Sequence, residues 1–238
     1  MYIRFFSPRS ACVVLVLAFV LSAGAVFGAS LVEQKGPQGA PEEKSIIPGL
    51  PAIGSWMLTR DGLIADWLGA AHQGKRLLEP INVVIIDPYA ASAQDAEARL
   101  LAACKKAGFP EREGHSSGYQ GLIESEVFSQ VPLKSEDCFS DAPFELSNDH
   151  GRIFGTFERE GSYYFTGAFS RERVDLVIKV KHQFVSFNRA RDVFAQRMSE
   201  RSDYRIESFL SLGNVFIDDP NRTTGDHDGI AVLLMATR

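Results

Sequence analysis

Apolar positions along this chain recur with two periods, and the change from one to the other marks the elements. After Pro80, "PINVVIID" is a continuous apolar run ended by Asp87-Pro88, the pattern of a strand buried on both faces. "SAQDAEARLLAACKKAGF" then spaces its apolar residues as a helix does. Ser92 stands at the N-cap, Asp95 three residues later, Lys105 and Lys106 in the last turn, and Gly108 at the end. Strand followed by helix makes a βα unit. Further on, "GRIFGTFER" and "SYYFTGAFSRE" flank Glu160-Gly161 and predict a β-hairpin. "VDLVIKVKHQFVSF" predicts a third strand, with Val174, Leu176, Ile178 and Val180 on one face. "NRARDVFAQRMSER" predicts a helix capped by Asn188 that buries Val193, Phe194 and Met198. "YRIESFLSLGNVFID" and "GIAVLLMAT" read as closing strands around the polar turn "DPNRTTGDHDG".

Earlier in the chain, Trp56, Leu63, Trp67, Ala70 and Ala71 fall at helical intervals and predict an amphipathic helix over Thr59 to His72. Core packing is the expected use of that stripe, and His72 would sit at the C-terminal end, where a histidine suits the helix dipole. Residues 110–149 read as irregular. These elements predict an α+β (mixed α/β) fold. It is a single domain over residues 56–238, with a mostly antiparallel mixed sheet and about three packed helices.

The N-terminus follows a different rule. Arg4 and Arg9 precede an apolar run from Cys12 to Ala29 that ends in small residues, the arrangement of a secretory signal peptide. Val26 and Gly28 suit cleavage before Ala29. The run is also close to bilayer-spanning length, so an uncleaved membrane anchor over residues 12–29 is the alternative. Either way the chain is expected to be exported, in the periplasm, the cell envelope or the secreted fraction. Residues 30–55, rich in proline and glycine, read as a linker.

The formal charge of −5 becomes about −7 once Arg4 and Arg9 leave with the leader. A net-acidic chain without a basic stripe argues against a nucleic-acid partner, while leaving room for a local anion pocket. Beyond the leader only Cys104 and Cys138 remain. In an exported chain they suggest one disulfide closing a loop of about 35 residues, worth about 3–4 kcal/mol. Two separate thiols, with Cys104 buried on its helix, are the alternative. No CxxC spacing points to a metal. "GHSSG" (114–118) matches the nucleophile-elbow string without its strand-to-helix setting. No cofactor motif is present: the turn "DPYAAS" is neither a Walker loop nor a dinucleotide fingerprint.

The order of "EPINVVIID", "ACKKAGF", "DHGRIFG", "YYFTGAFSRE", "HQFVSFNRARD" and "GDHDGIAVLLM" resembles the LssY C-terminal domain family over residues 80–236. In that family a histidine-rich strand, a second histidine segment ending in arginine-aspartate and a closing Gly-Asp turn follow one another. The resemblance places His150 and Arg152 in the first motif. It places His182, Asn188, Arg191 and Asp192 in the second, and Gly225, Asp226, Asp228 and Gly229 in the last. Asp149 stands where the family has a further histidine, and Gln183 to Ser186 replace an Ile-Asp-Pro-Asp stretch. The family has no established activity. Its members often follow membrane-embedded domains similar to phosphatidic-acid phosphatases, which implies work at the envelope.

His150 and Arg152 lie two apart on a predicted strand and therefore share a face. With His182, Arg191 and Asp192 they form the candidate site. Arginine and histidine suit an anionic or lipid-derived ligand. If Asp192 orients an imidazole, acid–base hydrolysis is the alternative. Purely structural roles as helix-end and strand-end groups are a third reading, and an envelope protein is a further candidate partner. "GDHDG" offers Asp226, His227 and Asp228 to a metal, but adjacent carboxylates in a Gly-Asp turn read first as a turn, so no metal is expected.

Overall fold

A computed structural model describes residues 44–113, 118–132, 138–175 and 181–238. The chain opens with β1 (Lys44–Ser45), β2 (Ile53–Gly54), β3 (Asp66–His72), β4 (Lys75–Leu78) and β5 (Val83–Asp87), then α1 (Ala93–Lys106). Four short strands follow: β6 (Glu111–Arg112), β7 (Gln120–Ile123), β8 (Glu126–Val131) and β9 (Cys138–Ser140). The long hairpin β10 (Asn148–Arg159) and β11 (Ser162–Asp175) leads to β12 (Lys181–Ser186) and α2 (Phe187–Arg201). β13 (Tyr204–Ser211), β14 (Arg222–Thr223) and β15 (Ile230–Ala236) complete it.

Among the described residues, one sheet runs β1-β2-β7-β8-β10-β11-β5-β15-β13, with β12 beside β11, β9 beside β10 and β6 beside β9; β14-β4-β3 form a second, small sheet. Its pairs are antiparallel apart from β15 on β5 and β14 on β4. Both helices lie over one face. Leu100 and Cys104 of α1 and Phe194 and Met198 of α2 pack on Val83, Phe165, Phe169 and Val232. The opposite face buries Val84, Phe154, Ala168 and Leu233 under Ile53, Met57, Ala65 and Ile81. β5 is therefore covered on both sides, which is why every residue from Val83 to Asp87 is buried.

The structure corrects the expected architecture. Among the described residues strands dominate, and two helices stand where about three were expected. The missing helix is Thr59 to His72. Leu68 and Gly69 adopt φ of +52° and +64°, which a helix cannot contain, and the segment turns at Gly62 before pairing as β3 with β4. Its apolar spacing misled because Leu63 and Leu68 are exposed while Trp67 is buried. The stretch read as irregular holds β6 to β9, and Ile53 within the expected linker is a core residue. Residues 1–43, most of "GHSSG" (114–117) and residues 176–180 of the predicted third strand lie outside the described residues. No disulfide joins Cys104 and Cys138: both are buried, Cys104 inside α1's core face and Cys138 on β9 opposite Arg112. Burial pushes the Cys104 thiol far above its usual range, so it stays protonated and unreactive.

α1 is capped as predicted, Ser92 Oγ accepting from Asp95 N at 3.1 Å. α2 is capped two residues earlier than predicted, by Ser186 rather than Asn188. The "GDHDG" turn completes that cap: Asp226 accepts from the Phe187 amide at 2.7 Å and from the Ser186 hydroxyl, while Asn188 donates to the Asp226 carbonyl. A carboxylate at a helix N-terminus satisfies orphan amides and favours the dipole. Asp226→Ala should therefore lower stability by about 1–2 kcal/mol, measured by urea denaturation. A loss too small to measure would assign the cap to Ser186 alone.

Candidate functional site

The face of the hairpin turned away from the helices carries the polar residues that matter. On β10, Asn148, His150 and Arg152 alternate inward, and β11 sets Glu172 opposite Asn148, Ser170 opposite His150 and Ala168 opposite Arg152. β12 then brings His182 opposite Val174 and Phe184 opposite Glu172. Period-two alternation thus collects two histidines, a glutamate, an asparagine and a serine on one surface, all buried or nearly so.

They form one hydrogen-bonded chain. Trp67 Nε1 donates to Ser170 Oγ at 3.1 Å, and Ser170 Oγ lies 3.3 Å from His150 Nε2. His150 Nδ1 meets Asn148 Oδ1 at 2.8 Å. Asn148 Nδ2 donates to Glu172 Oε1 at 2.7 Å, and Glu172 Oε2 lies 2.8 Å from His182 Nδ1. Phe144 stacks on the His182 ring at 4.4 Å, fixing its plane. The chain begins and ends at one cavity. Trp67 and His182 both line a cleft of about 200 Å³, with Ala70, His72, Leu77 and Phe184 among its other walls. His182 Nε2 is buried and finds no hydrogen-bond partner among the described residues. A polar atom of this kind costs free energy unless something fills the site.

The sequence-predicted residues divide. His150 and His182 come together, joined through Asn148 and Glu172. Arg152 shares the His150 face as expected, but its guanidinium covers the Tyr119 ring at 4.5 Å. It also faces Glu79, whose carboxyl is pushed up to about 7 by burial, with Arg152 opposing and Asp66 adding to the shift. Arg191 and Asp192 do not join the histidines. Arg191 bonds Asp192, Asp228 and the Ile230 carbonyl, at 2.8, 2.7 and 2.8 Å, and so ties α2 to the start of β15. His227 is buried with Nε2 2.8 Å from Asn214 Oδ1, and burial pushes it down to about 4. Among the described residues no group of three or more His, Cys, Asp or Glu is placed to hold a metal ion.

Asp149 points to the opposite face, where it pairs with Arg171 at 2.8 Å. Asp149 therefore takes no part in the His150 to His182 chain. Glu172, Asn148 and Ser170 are the residues that sequence reasoning missed. In "AFSRERVD" the alternation of Ala168, Ser170, Glu172 and Val174 was visible, but only the hairpin register shows that Glu172 stands opposite Asn148.

Comparison with protein-family models, with curated proteins and with solved structures gives no match. No helix among the described residues is long and apolar enough to cross a membrane.

Proposed function

We propose that this chain is an exported, envelope-located domain of the LssY C-terminal type that binds a small lipid-derived ligand in the cleft beside His182. The leader-like N-terminus and the order of motifs support the location and the family. One observation carries the binding reading: His182 is locked in place by Glu172 and Phe144, yet keeps a buried, unpartnered Nε2 in a residue that lines a cavity. Walls that mix Trp67, Leu77 and Phe184 with His72, His182 and Gln183 suit a compound joining an apolar body to a polar head.

Glycerol monobutyrate is a probe of suitable size and chemistry. Isothermal titration of the purified protein should show saturable binding, weakened about tenfold or more by His182→Ala. No heat of binding, or equal binding by the variant, would remove the cleft as the site. A second reading, ester hydrolysis, is favoured by the Glu172–His182 pair itself. A carboxylate holding Nδ1 leaves Nε2 to take a proton from water as the water attacks the carbonyl. Release of butyrate and glycerol by the protein, lost in His182→Ala, would establish it.

A further inference from the structure

We infer that the ligand group received by His182 is a hydrogen-bond donor, a hydroxyl or N–H, and not an anionic oxygen. This rests on the cleft being the binding site and specifies the chemistry that the site accepts. The Leu146 carbonyl can only accept. Asn148 Nδ2 donates to it at 2.8 Å, which fixes the orientation of the amide and turns Asn148 Oδ1 toward His150. His150 Nδ1 must then be the donor, and its Nε2 the acceptor from the Ser170 hydroxyl, which itself accepts from Trp67.

The other end is fixed as well. Glu172 as a carboxylate has no proton to give, so one oxygen accepts from Asn148 and the other from His182 Nδ1. A neutral His182 ring thus carries its proton on Nδ1, and Nε2 is a lone pair. With Nδ1 occupied, Nε2 is the polar ring atom left for a ligand; being buried, it is reached only as the cleft walls yield to the ligand. A hydroxyl or N–H completes it. An anionic oxygen would face that lone pair, with the Glu172 carboxylate one ring-width behind it.

The test is a set of matched probes titrated at about pH 8, where an imidazole is ordinarily neutral: hexane-1,2-diol, its dimethyl ether, and hexanoate. The diol should bind about tenfold or more tightly than either of the others. Glu172→Gln should invert the order. The glutamine introduced there keeps one oxygen for the Asn148 amide and turns its NH₂ toward His182 Nδ1, which moves the ring proton to Nε2 and makes that atom a donor. Should the variant not fold, the long-range 1H–15N spectrum of the wild-type His182 ring decides in its place, an Nδ1–H ring supporting the inference. Equal binding of the three probes, or hexanoate as the tightest, overturns it. An Nε2–H ring overturns it while leaving the cleft as a binding site. If none of the three binds, the binding reading fails and the inference falls with it.

Discussion

Glu172→Ala should lower the free energy of unfolding by about 3–5 kcal/mol, seen as a lower urea midpoint with an unchanged slope. Glu172 is 1% exposed and accepts from both Asn148 and His182, with His150 Nδ1 4.0 Å from Oε1. Truncation strands two buried donors, at about 1–3 kcal/mol each, and opens a void between β10, β11 and β12. Against the roughly 5–15 kcal/mol typical of a folded domain, such a loss is large. Glu172→Gln keeps the shape and both contacts, with the donor direction reversed at His182, and should cost much less. Equal and small losses for the two variants would show that the polar chain does not hold these strands together.

The pH dependence of stability should be governed by two buried groups of opposite sign. His227 is pushed down to about 4, first by burial and then by Arg191, with Asp228 and Asp226 opposing. Between about 4 and 6.5 the unfolded chain holds a proton that the folded one refuses, so stability rises with pH across that window and is lost on acidification. Glu79 does the reverse. Between 4.5 and about 7 the folded chain keeps a proton that the unfolded one releases, so stability falls as pH rises. Each effect is about 3 kcal/mol over its window, and where the windows overlap they cancel. Glu79→Gln should uncover the His227 slope, with stability climbing by about 3 kcal/mol from acid toward neutral pH. His227→Gln, which keeps a donor for Asn214, should uncover the opposite slope. Urea denaturation across pH separates them, and parallel curves for the wild type and both variants would contradict the assignment.

Much of this architecture is legible in the sequence, where one period runs long enough to decide. The α1 segment carried its own cap and charge bias, β5 was a pure apolar run, and the β10–β11 hairpin announced its turn at Glu160-Gly161. The Thr59 to His72 segment failed because helical spacing over a few residues says nothing about Leu68 and Gly69 adopting positive φ. At the candidate site, shared-face reasoning correctly placed His150 with Arg152. It could not see that Arg191 and Asp192 belong to the turn at Asp228, because that contact spans 37 residues. Nor could it find Glu172, which in sequence is one charge among "RERVD" and becomes the hub only when the hairpin register sets it opposite Asn148 and β12 returns His182 to the same face.

The most direct measurement is the long-range 1H–15N spectrum of His182 at about pH 8, where imidazole is ordinarily neutral, recorded without and with hexane-1,2-diol. The expected spectrum shows a ring protonated at Nδ1 whose Nε2 resonance moves as the diol saturates the cleft, while His150 keeps its own Nδ1–H. A ring protonated at Nε2, or an Nε2 resonance unmoved at saturation, would contradict it.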